Sequence, residues 1–496
     1  MATDRVISWA AAGLKLAIAT LMVSVASAQA PKVTGPIAGN PTFSHGQFSI
    51  KDVGYVEEEF FFSGTATSYK APADLPNDGR WTVQPAETAP YASRLVVIRP
   101  SEPKKFNGTV VVEWLNVTTG GDSGIDWTYF HRELLRDGFA YAGVSAQKVG
   151  VEGGPSPAQS GTPLKPSNPE RYGKLSHPGD AFSYDIYSQA GRAIRGAGGV
   201  KVLGPLALKH VLAAGESQSA VFLTTYVNAI DPIDKVYDGF LIHSRFANGS
   251  ALAGAMGGGR GPAANGATPS GVQIRADVRV PVLTFETETD VIGQNTNFVY
   301  ARQPDSDRFR IWEVPGTAHV DSYYFAAGAI DSGSAPTEKL AAAWTPGTIG
   351  GGLGSPMNSG PQHHYVDEAA LYHLNRWVSE GKAPPKAGRM ETVPGAQPRY
   401  ALDKNGNVLG GIRTPWLDAP TAKLSASGQT GTGLAFLFGT TQTFDSATLK
   451  ALYPGGKADY LAKFNKALDA AVKSGFILGA DVPEIKALAA AMYPGS

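Results

Sequence analysis

The sequence predicts an α/β protein built on a mostly parallel sheet with helices on both faces. Two observations predict it. Short strand-like runs recur through the middle of the chain at Thr109–Leu115, Phe139–Val144, His210–Ala214, Phe240–Ile242, Pro281–Phe285 and Phe309–Val314. The first of these is nearly continuous in apolar residues, as a strand buried on both faces should be. Stretches with helical spacing alternate with the strands: Phe130–Leu135, then Asp180–Ile194 with Ile186, Ala190 and Ile194 on one stripe, then Ala220–Ile230. Such alternation belongs to parallel sheets, whose connections must cross over.

Before this region, Phe60–Phe62 and Arg94–Arg99 read as strands of an opening antiparallel section, the second stopped by Pro100. After it, Ala369–Val378 closes the alternation with Leu371, Leu374, Trp377 and Val378 on one helical face. Two Gly-, Ala-, Pro- and Ser-rich stretches, 247–271 and 327–360, interrupt the pattern and read as long covering loops. From about Met390 the character changes: Leu461, Phe464, Leu468 and Val472 form one helical stripe, and Asp481-Val-Pro-Glu484 has the layout of a capping box before a last helix, Ile485–Met492. The expected organisation is a leader over 1–28, a main domain over 29–390, and a helical appendage over 391–496 packed on it.

Composition bounds the function. The chain has 496 residues, 43% hydrophobic and 17% charged, enough for a large core. Lys+Arg and Asp+Glu are equal at 43 each, so no net field draws it to nucleic acid or to an anionic membrane surface. Arg5 and Lys15 precede the apolar run Leu16–Val25, which ends in Ala26-Ser27-Ala28, the layout of a secretory leader cleaved after Ala28. The apolar run is shorter than a membrane span, so the mature chain is expected to be soluble, not stably inserted in a membrane, and either periplasmic or secreted. With no cysteine there is no disulfide, no thiol nucleophile and no thiolate metal site. No phosphate-binding Gly-rich loop and no metal-ligand spacing appears, so neither a cofactor nor a metal is expected.

The chemistry-bearing segment is Val211-Leu-Ala-Ala-Gly-Glu-Ser-Gln-Ser-Ala220. A strand that turns sharply into a helix pushes the residue at its tip out of the sheet, and the turn demands small neighbours. Gly215 and Ser219 meet that demand, although the second position is commonly Gly, and Ser217 is the candidate nucleophile. A serine hydroxyl needs a base and a group that orients the base. Of nine histidines, His319 follows the strand Phe309–Val314 on a tight turn, at the sheet edge that carries the elbow; His363 and His364 are rivals. The strand Pro281–Phe285 runs into Glu286, Glu288 and Asp290. Asp290 is the candidate acid and Glu288 the runner-up. For the oxyanion hole, the N–H of Gln218 is one donor, and the loop Asn116–Asp122 offers a second from Val117 or its neighbour Asn116.

Six segments together resemble a family of large bacterial, often exported α/β-hydrolase-domain proteins: Gly54-Tyr55-Val-Glu-Glu-Glu59, Phe106–Asn116, Gly215–Ala220, Phe285–Asp290, Val314–His319 and Gly410–Trp416. The resemblance spans nearly all of the chain after the leader. It implies a serine hydrolase of α/β-hydrolase fold with Ser217, His319 and an acid near Asp290 at the matching positions, and it leaves the substrate open. The expected activity is hydrolysis of a small-molecule carboxylic ester. An amidase or peptidase of the same fold and an inactive hydrolase-fold binding protein of the cell envelope are the alternatives.

Overall fold

The computed structural model describes residues 30–253, 271–294, 296–345, 347, 353–393, 395 and 397–494. The leader expected over 1–28 and most of the first Gly-rich stretch lie outside the described residues. Nine strands form one sheet in the order β1-β2-β3-β5-β4-β6-β7-β8-β9. They are β1 (Lys32–Thr34), β2 (Tyr55–Lys70), β3 (Gln84–Pro100), β4 (Thr109–Trp114), β5 (Ala140–Val144), β6 (His210–Glu216), β7 (Gly239–His243), β8 (Val282–Thr287) and β9 (Phe309–Val314). All pairs from β5 through β9 are parallel, and β1, β2, β3 and the β3–β5 pair are antiparallel. This is the mostly parallel sheet that the alternating pattern predicts.

Period-two alternation along each strand divides the core between the two faces. Val110, Val112, Val211, Ala213, Phe240 and Ile242 face the helices Ser183–Ile194 and Gln218–Thr225. Val111, Leu212, Ala214, Leu241, Leu283 and Trp312 face the helices Ile125–Arg136 and Gln362–Glu380. The chain leaves β4 toward β5 and then returns to place β6 on the other side of β4. The carboxyl ends of β4 and β6 therefore flank a topological switch point, where no crossover covers the sheet edge and a crevice opens.

Three local readings are corrected by packing. The opening strands are far longer than Phe60–Phe62 and Arg94–Arg99, and β3 even contains Pro85 and Pro90. Beyond Leu95–Ile98, β3 has a partner on one side only, so prolines at its outer end interrupt no ladder. The closing helix begins at Gln362 rather than Ala369, because its first turns bury the polar residues His363, His364, Asp367 and Glu368 and so show no apolar stripe. At Asp481 no capping box forms: its Oδ1 accepts from Arg136 Nη1 at 2.5 Å, and Glu484 accepts from Arg132 and Tyr365. Ion pairs to the helix Ile125–Arg136 have taken both carboxylates.

The tail is packed on the sheet domain but is only partly helical. It starts with two small antiparallel ribbons, Thr392–Val393 with Arg399–Tyr400 and Ala422–Ser425 with Thr440–Thr443. Its helices Lys457–Ser474 and Val482–Ala491 then bury Tyr460, Phe464, Leu468, Ile485 and Leu488 against Tyr129, Tyr323, Trp344 and Tyr365. Among the described residues no helix is long and apolar enough to cross a membrane.

Candidate active site

Ser217 stands between β6 and the helix Gln218–Thr225 with φ 59° and ψ −120°, a strained conformation for a residue with a Cβ. Its N–H donates to the carbonyl of His243 at 3.0 Å, and its carbonyl accepts from Val221 N–H at 3.1 Å, so both strand and helix hold the turn. A Cβ on Gly215 would lie 3.0 Å from Leu223 Cδ1 and 3.1 Å from Ser219 Cβ. That crowding explains why both positions are small, and why serine suffices at the second.

The candidate base and acid arrive from β9 and β8. His319 Nε2 lies 2.7 Å from Ser217 Oγ, and His319 Nδ1 lies 2.6 Å from Asp290 Oδ1. Asp290 opens into a short helical turn, Glu288–Val291, where its Oδ2 accepts from Thr287 N–H at 2.8 Å and Thr287 Oγ1–H at 2.5 Å. Burial disfavours its charge, but His319 and the Thr287 hydrogen bonds outweigh burial and hold the carboxyl below its ordinary range. The runner-up acid does something else. Glu288 accepts from Gly316 N–H at 2.7 Å and from Ala426 N–H at 2.8 Å, tying the histidine's turn to the C-terminal region. Burial pushes its pKa up to about 7 against those two donors.

The rival histidines are remote from the serine in bonding terms. His363 Nε2 meets His243 Nε2 at 2.8 Å, and His364 Nδ1 meets the Tyr129 carbonyl at 2.6 Å. Of the expected oxyanion donors, Val117 N–H faces the site and donates to Gln218 Oε1 at 3.3 Å. Asn116 is unsuited through its backbone, because its N–H is taken by the Ser123 carbonyl. Its side chain instead donates to Glu216, at 3.2 Å to the carbonyl and 3.3 Å to Oε2.

A family model described as an alpha/beta hydrolase domain matches residues 28–487. The chain belongs to that family. No curated protein matches it. Among solved structures this hydrolase is similar to a putative dienelactone hydrolase from Klebsiella pneumoniae, at 11% identity over 57% of this chain and 95% of that one, with a TM-score of 0.27. It is similar to an α/β serine hydrolase without a lid from Xanthomonas campestris, at 13% identity over 53% and 87%, TM-score 0.27. It is similar also to a glucuronoyl esterase from Solibacter usitatus, at 11% identity over 58% and 84%, TM-score 0.28.

The hydrolase places Ser217 and His319 at the floor of a pocket of about 640 Å³. Ile125, Pro157 and Tyr324 line it, with Leu353 and Met357 from the second Gly-rich stretch and Leu434, Ala435, Leu437 and Phe438 from the C-terminal region. Described residues of that stretch and of the tail thus roof the site.

Two contributors have no sequence signal of their own. Glu216, the residue before Ser217, is 1% exposed, and its Oε1 lies 3.1 Å from His319 Nε2. Burial, then the charges of Asp126, Asp290 and Glu113, push its pKa well above the ordinary value. Arg94, fully buried, donates to Asp122 Oδ2 at 3.0 Å and to Glu59 Oε1 at 3.1 Å, pinning the loop that carries Val117. A carboxylate at the end of a buried strand and an arginine inside one are the hints, and each needs its distant partner to be read.

Proposed function

We propose that this hydrolase is an exported serine carboxylesterase that works through an acyl-enzyme, with Ser217 as nucleophile, His319 as base and Asp290 as orienting acid. The hydrogen-bonded chain from Ser217 Oγ through His319 to Asp290 carries the reading. Ser217 Oγ attacks the ester carbonyl carbon while His319 Nε2 takes its proton. The charge that collects on the carbonyl oxygen is met by the backbone N–H of Gln218 and by that of Val117, which exchanges the Gln218 side-chain oxygen for the substrate's. The ester C–O bond then breaks, and His319 returns the proton to the departing alkoxide. Water attacks the acyl carbon, gives a proton to His319, and the carboxylic acid leaves as the proton returns to Ser217 Oγ.

Esters are favoured over amides because an alkoxide is the better leaving group and needs less assistance. Among the described lining residues of the pocket none is Lys or Arg. That favours an uncharged ester with an apolar part lying against Met357, Leu437 and Phe438. Reaction of the pure protein with a fluorophosphonate probe, together with turnover of a panel of p-nitrophenyl esters, tests the proposal, with Ser217→Ala as control. Labelling that needs Ser217 and ester turnover support it. A folded wild type that neither labels nor turns over ester is the binding protein instead, and turnover of amides alone makes it an amidase. Export is checked by N-terminal sequencing, which should find the mature chain beginning at Gln29 in an extracytoplasmic fraction.

A further inference from the structure

Behind the elbow, and outside the pocket lining, a second group of ionisable side chains is sealed in the core. Asp126 sits in the first turn of the helix Ile125–Arg136, His243 ends β7, and Asp367 lies on the helix Gln362–Glu380; each is 0% exposed. His243 Nδ1 is 2.8 Å from Asp126 Oδ1 and 3.6 Å from Asp367 Oδ2. One ligand atom from each of the three residues lies within 4.8 Å of the others. Three of the four carboxylate oxygens here, Asp126 Oδ2 and both of Asp367, have no hydrogen-bond partner. A buried carboxylate without partners is among the most costly groups a core can hold, and Glu113, whose Oε1 accepts the Asp126 N–H, adds another acid rather than a cation.

We infer that Asp126, His243 and Asp367 form a binding site for one divalent transition-metal ion. The ion supplies the positive charge that the cluster lacks and occupies the oxygens that nothing else meets. An imidazole nitrogen with two carboxylates suits zinc or a similar borderline ion better than calcium or magnesium, which take oxygen alone.

The imidazole tautomers agree with this assignment. His243 Nε2 and His363 Nε2 are 2.8 Å apart, so one of them carries the shared proton. If His243 Nδ1 gives its lone pair to the ion, its Nε2–H donates to His363 Nε2. The proton of His363 then sits on Nδ1, facing Asp321 Oδ2 at 3.5 Å. If instead a neutral His243 donates Nδ1–H to Asp126, His363 must donate through Nε2 and turns a bare Nδ1 toward the Asp321 carboxylate. The metal-bound arrangement orders the whole line with both rings neutral, as a proton on Asp126 Oδ1 in place of the ion also would, and metal content separates the two.

Such an ion has a structural task. It joins β7 to two helices on the same face of the sheet, and the His243 carbonyl it steadies accepts the N–H of Ser217 at 3.0 Å. The expectation of no metal came from ligand spacing in sequence. That spacing is blind here, since 117 residues separate Asp126 from His243 and the three ligands come from three elements.

Metal content tests the site without reference to hydrolysis. Full-length protein made without a metal-affinity tag is refolded with Zn2+, freed of loose ion by gel filtration, and analysed for elements. About one zinc per chain is expected, falling below about a tenth in Asp367→Asn and in Asp126→Asn. Refolding with Co2+ should give wild type a visible d–d absorption, a readout that needs no variant to fold. A wild type without zinc above background and without the cobalt band overturns the site, leaving an Asp126–His243 pair that holds protons. Full zinc retention in a folded Asp367→Asn overturns it equally.

Discussion

His319 and His243 both sit at the carboxyl edge of one sheet, and each meets an aspartate through Nδ1, at 2.6 Å to Asp290 and 2.8 Å to Asp126. Beyond that likeness they diverge. The Nε2 of His319 meets a serine hydroxyl at the floor of a pocket, and both oxygens of its aspartate are hydrogen-bonded. The Nε2 of His243 meets a second buried histidine, and the carboxylates around it keep oxygens without partners. The same residue types therefore serve different ends. What separates them is access to a ligand from solvent and the completeness of the hydrogen-bond shell.

The largest loss is expected at the serine. Ser217→Ala should lower kcat for a p-nitrophenyl ester by about 10^4-fold or more and abolish fluorophosphonate labelling. A residual rate within tenfold of wild type would remove the elbow from the chemistry. Next come the two aspartates. Asp290→Asn should cost about 10^3- to 10^4-fold in kcat, because the imidazole loses the partner that fixes its tautomer and steadies its charge. Asp367→Asn should cost less than about tenfold and show its effect in the thermal midpoint instead. Equal losses from the two would erase the distinction drawn between the sites.

A third contrast lies in pH. Glu288 holds its proton in the folded state up to about 7, against an ordinary value of 4.5. A raised folded pKa gives stability that is full below about 4.5 and is lost as pH rises through about 7, on the order of 3 kcal/mol for such a shift. Asp290 has the opposite sign: its depressed pKa gives stability above its ordinary 3.8 that is lost as pH falls. Denaturant unfolding across pH should therefore show Glu288→Gln gaining on wild type as pH rises, and Asp290→Asn with a flatter acid limb. At the roof the effect is expected in binding alone. Phe438→Ala, which removes a ring 5.5 Å from that of Phe325, should raise KM for aryl-chain esters by about tenfold with little change in kcat.

Ser217, His319 and an acidic strand end over Glu286–Asp290 were legible because each follows an apolar strand closely in sequence, so local pattern alone puts them at one edge of the sheet. Glu288 against Asp290 was not resolved that way, since they are two residues apart at one strand end and only the turn Glu288–Val291 aims them differently. The start of the helix Gln362–Glu380 was hidden for a related reason. Its first turns bury polar residues against partners far along the chain, and hydrophobic periodicity cannot report a buried histidine.

Local sequence pattern was enough for the parallel sheet, for the sharp turn at Ser217, and for the chain order of Ser217, an acidic strand end and His319. Those depend on apolar periodicity and on backbone strain over a few residues, which neighbours in the chain control. The tertiary structure alone decided which carboxylate meets His319, that Glu216 and Arg94 support the site, what roofs the pocket, and that Asp126, His243 and Asp367 converge. Those are charges and hydrogen bonds between residues over a hundred positions apart or between near-equivalent neighbours, and their energies exist only once the low-dielectric core brings them to contact.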